Sequence, residues 1–200
     1  MRTSGTRPDA RGGRSGRSGG APRLSLAVQY AVARTGLPAA ASLRRWAAAA
    51  LDREVAATLR FVGLAEGRTL NSLYRGKDYA TNVLTFVYDD AVPLAGDIVL
   101  CVPVLRREAR AGGLTLRAHC AHLVVHGMLH LQGHDHATPP EAHRMEARET
   151  ALLASLGFAD PYAARNAGDV VRRRAAPRRT PPPSGGGARS RVRGKPGGGP

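Results

Sequence analysis

Thr115-Leu116-Arg117-Ala118-His119-Cys120-Ala121-His122-Leu123-Val124-Val125-His126-Gly127-Met128-Leu129-His130-Leu131-Gln132-Gly133-His134-Asp135-His136 is the stretch on which the reading of this chain turns. It contains no proline, and Thr115 supplies a hydroxyl at the position of a helix N-cap, so it reads as one long helix. Leu116, Leu123, Val124 and Leu131 give that helix an apolar face for a core. Residues four apart on a helix differ by only about 40° around its axis. His126 and His130 therefore project from one face, with His122 one turn earlier on the same side. Gly133 then ends the helix, because a glycine takes the left-handed conformation at little steric cost. The chain turns back there and brings His136 towards the same point.

Three neutral imidazole nitrogens and one open position describe a catalytic zinc site, so His126, His130 and His136 are expected to hold a single zinc ion at the end of a central helix. The spacing is also that of the metzincin proteases. Those enzymes carry a glutamate directly after the first histidine as the general base, whereas this chain has Gly127. The metal cage is kept and the proteolytic base is missing. His122 is expected to support the cluster by hydrogen bonding or packing rather than to act as a fourth ligand. His134 is expected to point to the surface or towards a substrate.

Outward from this helix, the pattern predicts a small domain. Alternation over Leu24–Val28 and the mostly apolar run Val55–Leu64 read as strands, as do Asn82–Tyr88 and Asp97–Val102, the last two joined by an Asp89–Pro93 loop suited to a hairpin. Ser42–Leu51, Ala65–Leu73 and Leu105–Ala111 read as helices. A last helix runs from about Glu141, behind Pro139-Pro140, to Leu156, where Gly157 stops it. The sum is an α+β, three-layer-like domain: a mixed sheet of about four strands with about five helices.

The folded part is expected to span residues 24–162, between two tails at 1–23 and 163–200 that are rich in Arg, Gly, Ser and Pro and too poor in apolar residues to build a core. Residues 1–23 hold six Arg and one Asp, and residues 163–200 hold nine Arg, one Lys and one Asp. The formal charge of +15 therefore sits in the tails, leaving +1 between them. A polycationic tail attracts polyanions such as RNA through counterion release. The competing explanation is a GC-rich coding sequence drifting without selection, since Arg outnumbers Lys 28 to 2. Cys101 and Cys120 match no zinc or disulfide spacing and read as reduced, partly buried thiols. With no signal-peptide core and no apolar run of about 20 residues, no membrane association is expected, and a cytoplasmic location is.

A second constellation lies upstream. In Asn71-Ser72-Leu73-Tyr74-Arg75-Gly76-Lys77-Asp78-Tyr79-Ala80-Thr81-Asn82, Arg75 and Lys77 flank a glycine and offer donors to an anion. On these residues alone, a turn with solvated charges and an Asx-capped strand start is the simpler reading. Taken with the histidine run, however, the chain resembles the YbeY family of bacterial endoribonucleases. The resemblance spans roughly Leu24 to Ala163. It is carried by Leu70-Asn71, Arg75-Gly76-Lys77-Asp78, Thr81-Asn82-Val83-Leu84-Thr85-Phe86, Gly96-Asp97-Ile98, Ala118-His119, Ala121-His122, the histidine motif, Met145-Glu146-Ala147 with Glu149, and Leu156-Gly157-Phe158 with Asp160-Pro161-Tyr162. His134 departs from a common Tyr, and Thr138-Pro139-Pro140 replaces commonly acidic residues.

The resemblance implies zinc ligands at His126, His130 and His136 and a functionally required arginine at Arg75. It further implies single-strand-specific, metal-dependent cleavage of ribosomal RNA precursors, maturation of the 16S rRNA 3′ end, ribosome quality control, and partnership with the small ribosomal subunit. Arg75 would then stabilise charge developing on the phosphoryl group, with Lys77 or tail arginines holding flanking phosphates. No general base is evident, and Asp97 and Asp135 are expected to orient a histidine ligand. Two other classes remain as alternatives: a zinc metalloprotease-like hydrolase, and a non-catalytic ribosome assembly factor with a structural metal.

Overall fold

The computed structural model describes residues 21–89 and 91–163. Apart from residues 21–23 and 163, the two basic tails lie outside the described residues. Every element below lies between Leu24 and Ser155.

Four strands form one sheet: β1 (Leu24–Tyr30), β2 (Val55–Val62), β3 (Val83–Asp89) and β4 (Leu94–Cys101). Their spatial order is β1-β2-β4-β3, with β1, β2 and β4 parallel and β3 antiparallel to β4 on one edge. Five helices accompany them: α1 (Ala40–Ala49), α2 (Leu64–Arg75), α3 (Val102–Ala111), α4 (Leu116–Leu131) and α5 (Pro139–Ser155). This is the expected mixed-sheet α+β architecture, with boundaries moved by local chemistry. The second strand stops at Val62 because Gly63 becomes the N-cap of α2. The third helix starts at Val102, with Pro103 in its first turn, where no N–H partner is needed. The last helix starts at Pro139, where Glu141 accepts from both the backbone N–H and the hydroxyl of Thr138.

Strand alternation sorts the core into two faces. Val55, Leu59 and Phe61 of β2 join Leu94, Ile98 and Leu100 of β4 in the larger core, which α1, α4 and α5 cover. Val62, Leu84, Val99 and Cys101 face the other way, with Val104 of α3 and Leu70 of α2. Helix α4 is the centre of the larger layer. It buries Leu123, Val124, Met128, Leu129 and Leu131, each contributing about 1.5–3 kcal/mol. The expected cap is present, the Thr115 hydroxyl accepting from the Ala118 N–H at 3.1 Å.

Helix α4 lies so close to β4 that a Cβ at Gly127 would stand 2.8 Å from Cγ2 of Ile98. The glycine that replaces the protease base is thus required by packing. A glutamate there would drive into the sheet, which removes the physical basis of the metzincin-type alternative. Cys101 and Cys120 are both free and buried, more deeply than expected from sequence.

Candidate metal centre

The histidines arrive from one helix and one turn. His126 and His130 stand on successive turns of α4, and their Nε2 atoms are 3.1 Å apart. Gly133 adopts φ +87°, and the loop behind it carries the ring of His136 back to within 5.5 Å of the His126 ring and 4.9 Å of the His130 ring, centroid to centroid. One ligand atom from each of the three lies within 4.8 Å of the others.

Protonation fits a cation at this point. Nδ1 of His126 donates to Oε1 of Glu149 at 2.7 Å, which leaves Nε2 as the ring's lone-pair nitrogen. Burial, followed by the neighbouring His126 and His136, pushes His130 down to about 4, so its ring is neutral at physiological pH. At 3.1 Å the neutral His130 ring either donates from Nε2 to that lone pair or shares a cation with it. Tetrahedral coordination with Zn–N near 2.1 Å would space such nitrogens about 3.4 Å apart. A second group, His122, His126 and Glu149, is equally compact. Its contacts, however, are histidine-to-carboxylate hydrogen bonds, which protons already explain.

Glu149 carried part of the resemblance in the sequence but was given no role at the site. It is fully buried and accepts from His126, from Nε2 of His122 at 3.1 Å and from the Tyr162 hydroxyl. Burial alone would raise its pKa, but hydrogen bonds from His122, His126 and Tyr162 outweigh that and hold it at about 2. A signal was present. Met145, Glu149 and Leu153 are the buried residues of α5, spaced four apart, and a carboxylate inside an apolar stripe needs partners. His122 is accordingly a support of the cluster, placed beside Glu149 and Tyr162.

Asp97 and Asp135 do not orient a ligand ring. Asp97 is on the opposite sheet face from α4, with Val99 and Cys101, and its carboxylate accepts from the Tyr88 hydroxyl. Asp135 accepts from the backbone N–H of its neighbour His136 at 2.7 Å, so it shapes the ligand loop. His134 makes a 3.1 Å contact with Asp52 at the rim.

The cluster opens into a cavity of about 540 Å³ whose far wall is Arg75, Thr81, Asn82, Val83 and Thr85. Arg75 is the last residue of α2, and Gly76 closes that helix in the left-handed conformation. Among the described residues no carboxylate pairs with Arg75, so its guanidinium is available to an anion between it and the histidines. Lys77, beyond the glycine, is exposed and absent from the walls of this cavity. Asn82 stands where the sequence suggested an Asx-capped strand start. Its side chain donates to Glu108 at 3.0 Å and accepts from the Val83 N–H, which fixes the start of β3 against the cavity.

The family described as endoribonuclease YbeY matches residues 39–157. A protein named endoribonuclease YbeY from Aromatoleum aromaticum is 60% identical over 144 residues, covering 70% of this chain and 94% of the relative. One of the same name from Methylibium petroleiphilum is 56% identical, covering 71% and 96%. The solution structure of TM1509 from Thermotoga maritima matches at 22% identity with a TM-score of 0.44, covering 68% of this chain and 97% of that one. On the family match and these identities, the chain belongs to the YbeY family of endoribonucleases.

Proposed function

We propose that this endoribonuclease is zinc-dependent and single-strand-specific, and that it acts on ribosomal RNA precursors in late 16S rRNA 3′-end maturation and ribosome quality control. The observation that carries the reading is one cavity with two unlike walls: three convergent imidazoles on one side and, on the other, a guanidinium that no carboxylate among the described residues pairs with. An RNA phosphate fits between them.

His126, His130 and His136 are the residues that would hold the metal. Imidazole-only coordination with an open side suits zinc, which supplies Lewis acidity towards a phosphate oxygen and towards water. Glu149 keeps His126 in the ligating tautomer. Arg75 binds the phosphate and stabilises the charge that builds on its oxygens during cleavage. The cavity is open to solvent, unlike the closed shell of a structural zinc site, which disfavours the non-catalytic assembly factor.

A partnership with the small ribosomal subunit and a cytoplasmic location follow from this reading. Among the described residues no helix is long and apolar enough to cross a membrane. The test is cleavage of unstructured and duplex RNA by purified protein, with chelator and with zinc restored. Cleavage of the unstructured RNA that chelator abolishes and zinc restores supports the reading. Cleavage indifferent to chelator refutes it.

A further inference from the structure

Arg75 and Thr85 line a second cavity as well, of about 590 Å³, between α2 and the β3 edge. It lies on the sheet face opposite the histidine helix, and the two cavities meet at Arg75. Their chemistry differs. The first offers imidazoles and a guanidinium. The second is walled by Tyr74, Phe86 and Tyr88, with Arg60, Glu66 and Asp97 among its polar groups.

Tyr74 and Tyr88 are 61% and 63% exposed. They are nonetheless held in place. Tyr74 stacks edge-on against Phe86 with ring centroids 4.8 Å apart, and Phe86 packs on the smaller core. The Tyr88 hydroxyl donates to Asp97, and that bond, with some burial, pushes the phenol up to about 12. Phe86 and Asp97 are register partners on β3 and β4, so rings and carboxylate share one platform. Arg60 is committed to Glu66 at 2.8 Å.

Resting on the endoribonuclease reading above, we propose that this groove is a base-stacking subsite, where Tyr74 and Tyr88 hold a nucleobase of the single-stranded RNA whose neighbouring phosphate lies at Arg75. Two arguments favour a base over other occupants. The groove is continuous with the cavity that takes the phosphate, and an RNA strand presents phosphates and bases side by side. Arg60 is committed to Glu66, so away from Arg75 the groove lining offers no uncommitted cation for a second phosphate, while the Glu66 and Asp97 carboxylates keep lone pairs that can accept from the N–H edge of a base. Exposed, rigid aromatic rings bind unpaired bases because every base has a stackable face, whereas a duplex keeps its bases stacked inside. The groove thereby supplies a physical origin for single-strand preference.

The test uses the full-length, zinc-loaded protein with short single-stranded RNAs carrying 2-aminopurine at successive positions, and with a duplex control. Base–aromatic stacking is worth about 1–3 kcal/mol per base, so Tyr74→Ala or Tyr88→Ala should raise KM on the order of 5- to 150-fold. The kcat should stay near wild type. Tyr74→Phe should restore binding, and 2-aminopurine quenching at one position should vanish in the alanine variants. Wild-type cleavage with unchanged KM and unchanged quenching in both alanine variants overturns the subsite and leaves the nuclease standing. Absence of RNA cleavage by the zinc-loaded wild type removes the nuclease reading itself. Loss of affinity equal for duplex and single strand, without a quenching change, also overturns the subsite and points to a contact with the RNA backbone instead.

Discussion

The carboxylate of Glu149, fully buried on α5, accepts a 2.7 Å hydrogen bond from Nδ1 of His126 on α4, 23 residues earlier in the chain. The bond selects the tautomer that aims Nε2 at the point where the three imidazoles converge, and it ties two helices together there. Such carboxylate–histidine pairs typically account for about 10–100-fold in metal affinity. Glu149→Gln should lower zinc affinity by that amount, measured by competition with a chromophoric chelator. Affinity equal to wild type would show that the pair is packing alone.

The packing at Gly127 makes a separate prediction. A methyl group there must displace Ile98, and overpacking of this kind typically costs about 1–3 kcal/mol. Gly127→Ala should therefore lower the thermal midpoint. The damage should be partly relieved when combined with Ile98→Ala, because the clashing Cγ2, Cγ1 and Cδ1 atoms are gone. Simple additivity of the two changes in a double-mutant cycle would contradict direct contact.

The two cysteines report on the core. Burial pushes the Cys120 thiol up to about 12 and raises Cys101 as well. A raised thiol pKa favours the protonated form in the fold, so this contribution to stability is present below about pH 9 and lost as pH climbs towards 12. Neither thiol should react with a disulfide reagent at pH 8 in the native protein, and both should react in denaturant. Labelling of the native protein as fast as in denaturant, levelling off at about pH 9 as for a free thiol, would rule out this burial.

What could be read from sequence followed from local periodicity. The four strands, five helices, the Thr115 cap and the turn at Gly133 each depend on neighbours within a few residues, and each is found near its expected place. The spacing of His126, His130 and His136 is likewise local, one helix and one bend. Asp135, which bonds the backbone of its own neighbour, is a local misplacement, and the others are long-range. Asp97 was expected beside a histidine, but strand alternation puts it on the far face of β4, where Tyr88 takes its carboxylate. Glu149 was passed over because only the packing of α5 on α4 makes it the partner of His126. The aromatic groove needs the pairing of β3 with β4 and the arrival of α2, and no short window of sequence contains all three.

Arg75 gives the sharpest separation of binding from chemistry. It is exposed at the end of α2, pairs with no carboxylate among the described residues, and is followed by the glycine that already terminates the helix. Its removal should leave the fold and the three imidazoles intact. Arg75→Ala is therefore expected to keep the wild-type melting temperature and zinc affinity while RNA cleavage falls about 10²- to 10³-fold, the usual loss for one transition-state donor. Arg75→Lys should recover only part of the rate, because an ammonium keeps the charge but not the planar fork that engages two phosphate oxygens. Full activity in the alanine variant would assign the arginine to the surface and leave the phosphate without its partner across the cavity. A parallel loss of zinc would instead make the arginine a structural brace, since a residue of the opposite wall has no direct route to the ion.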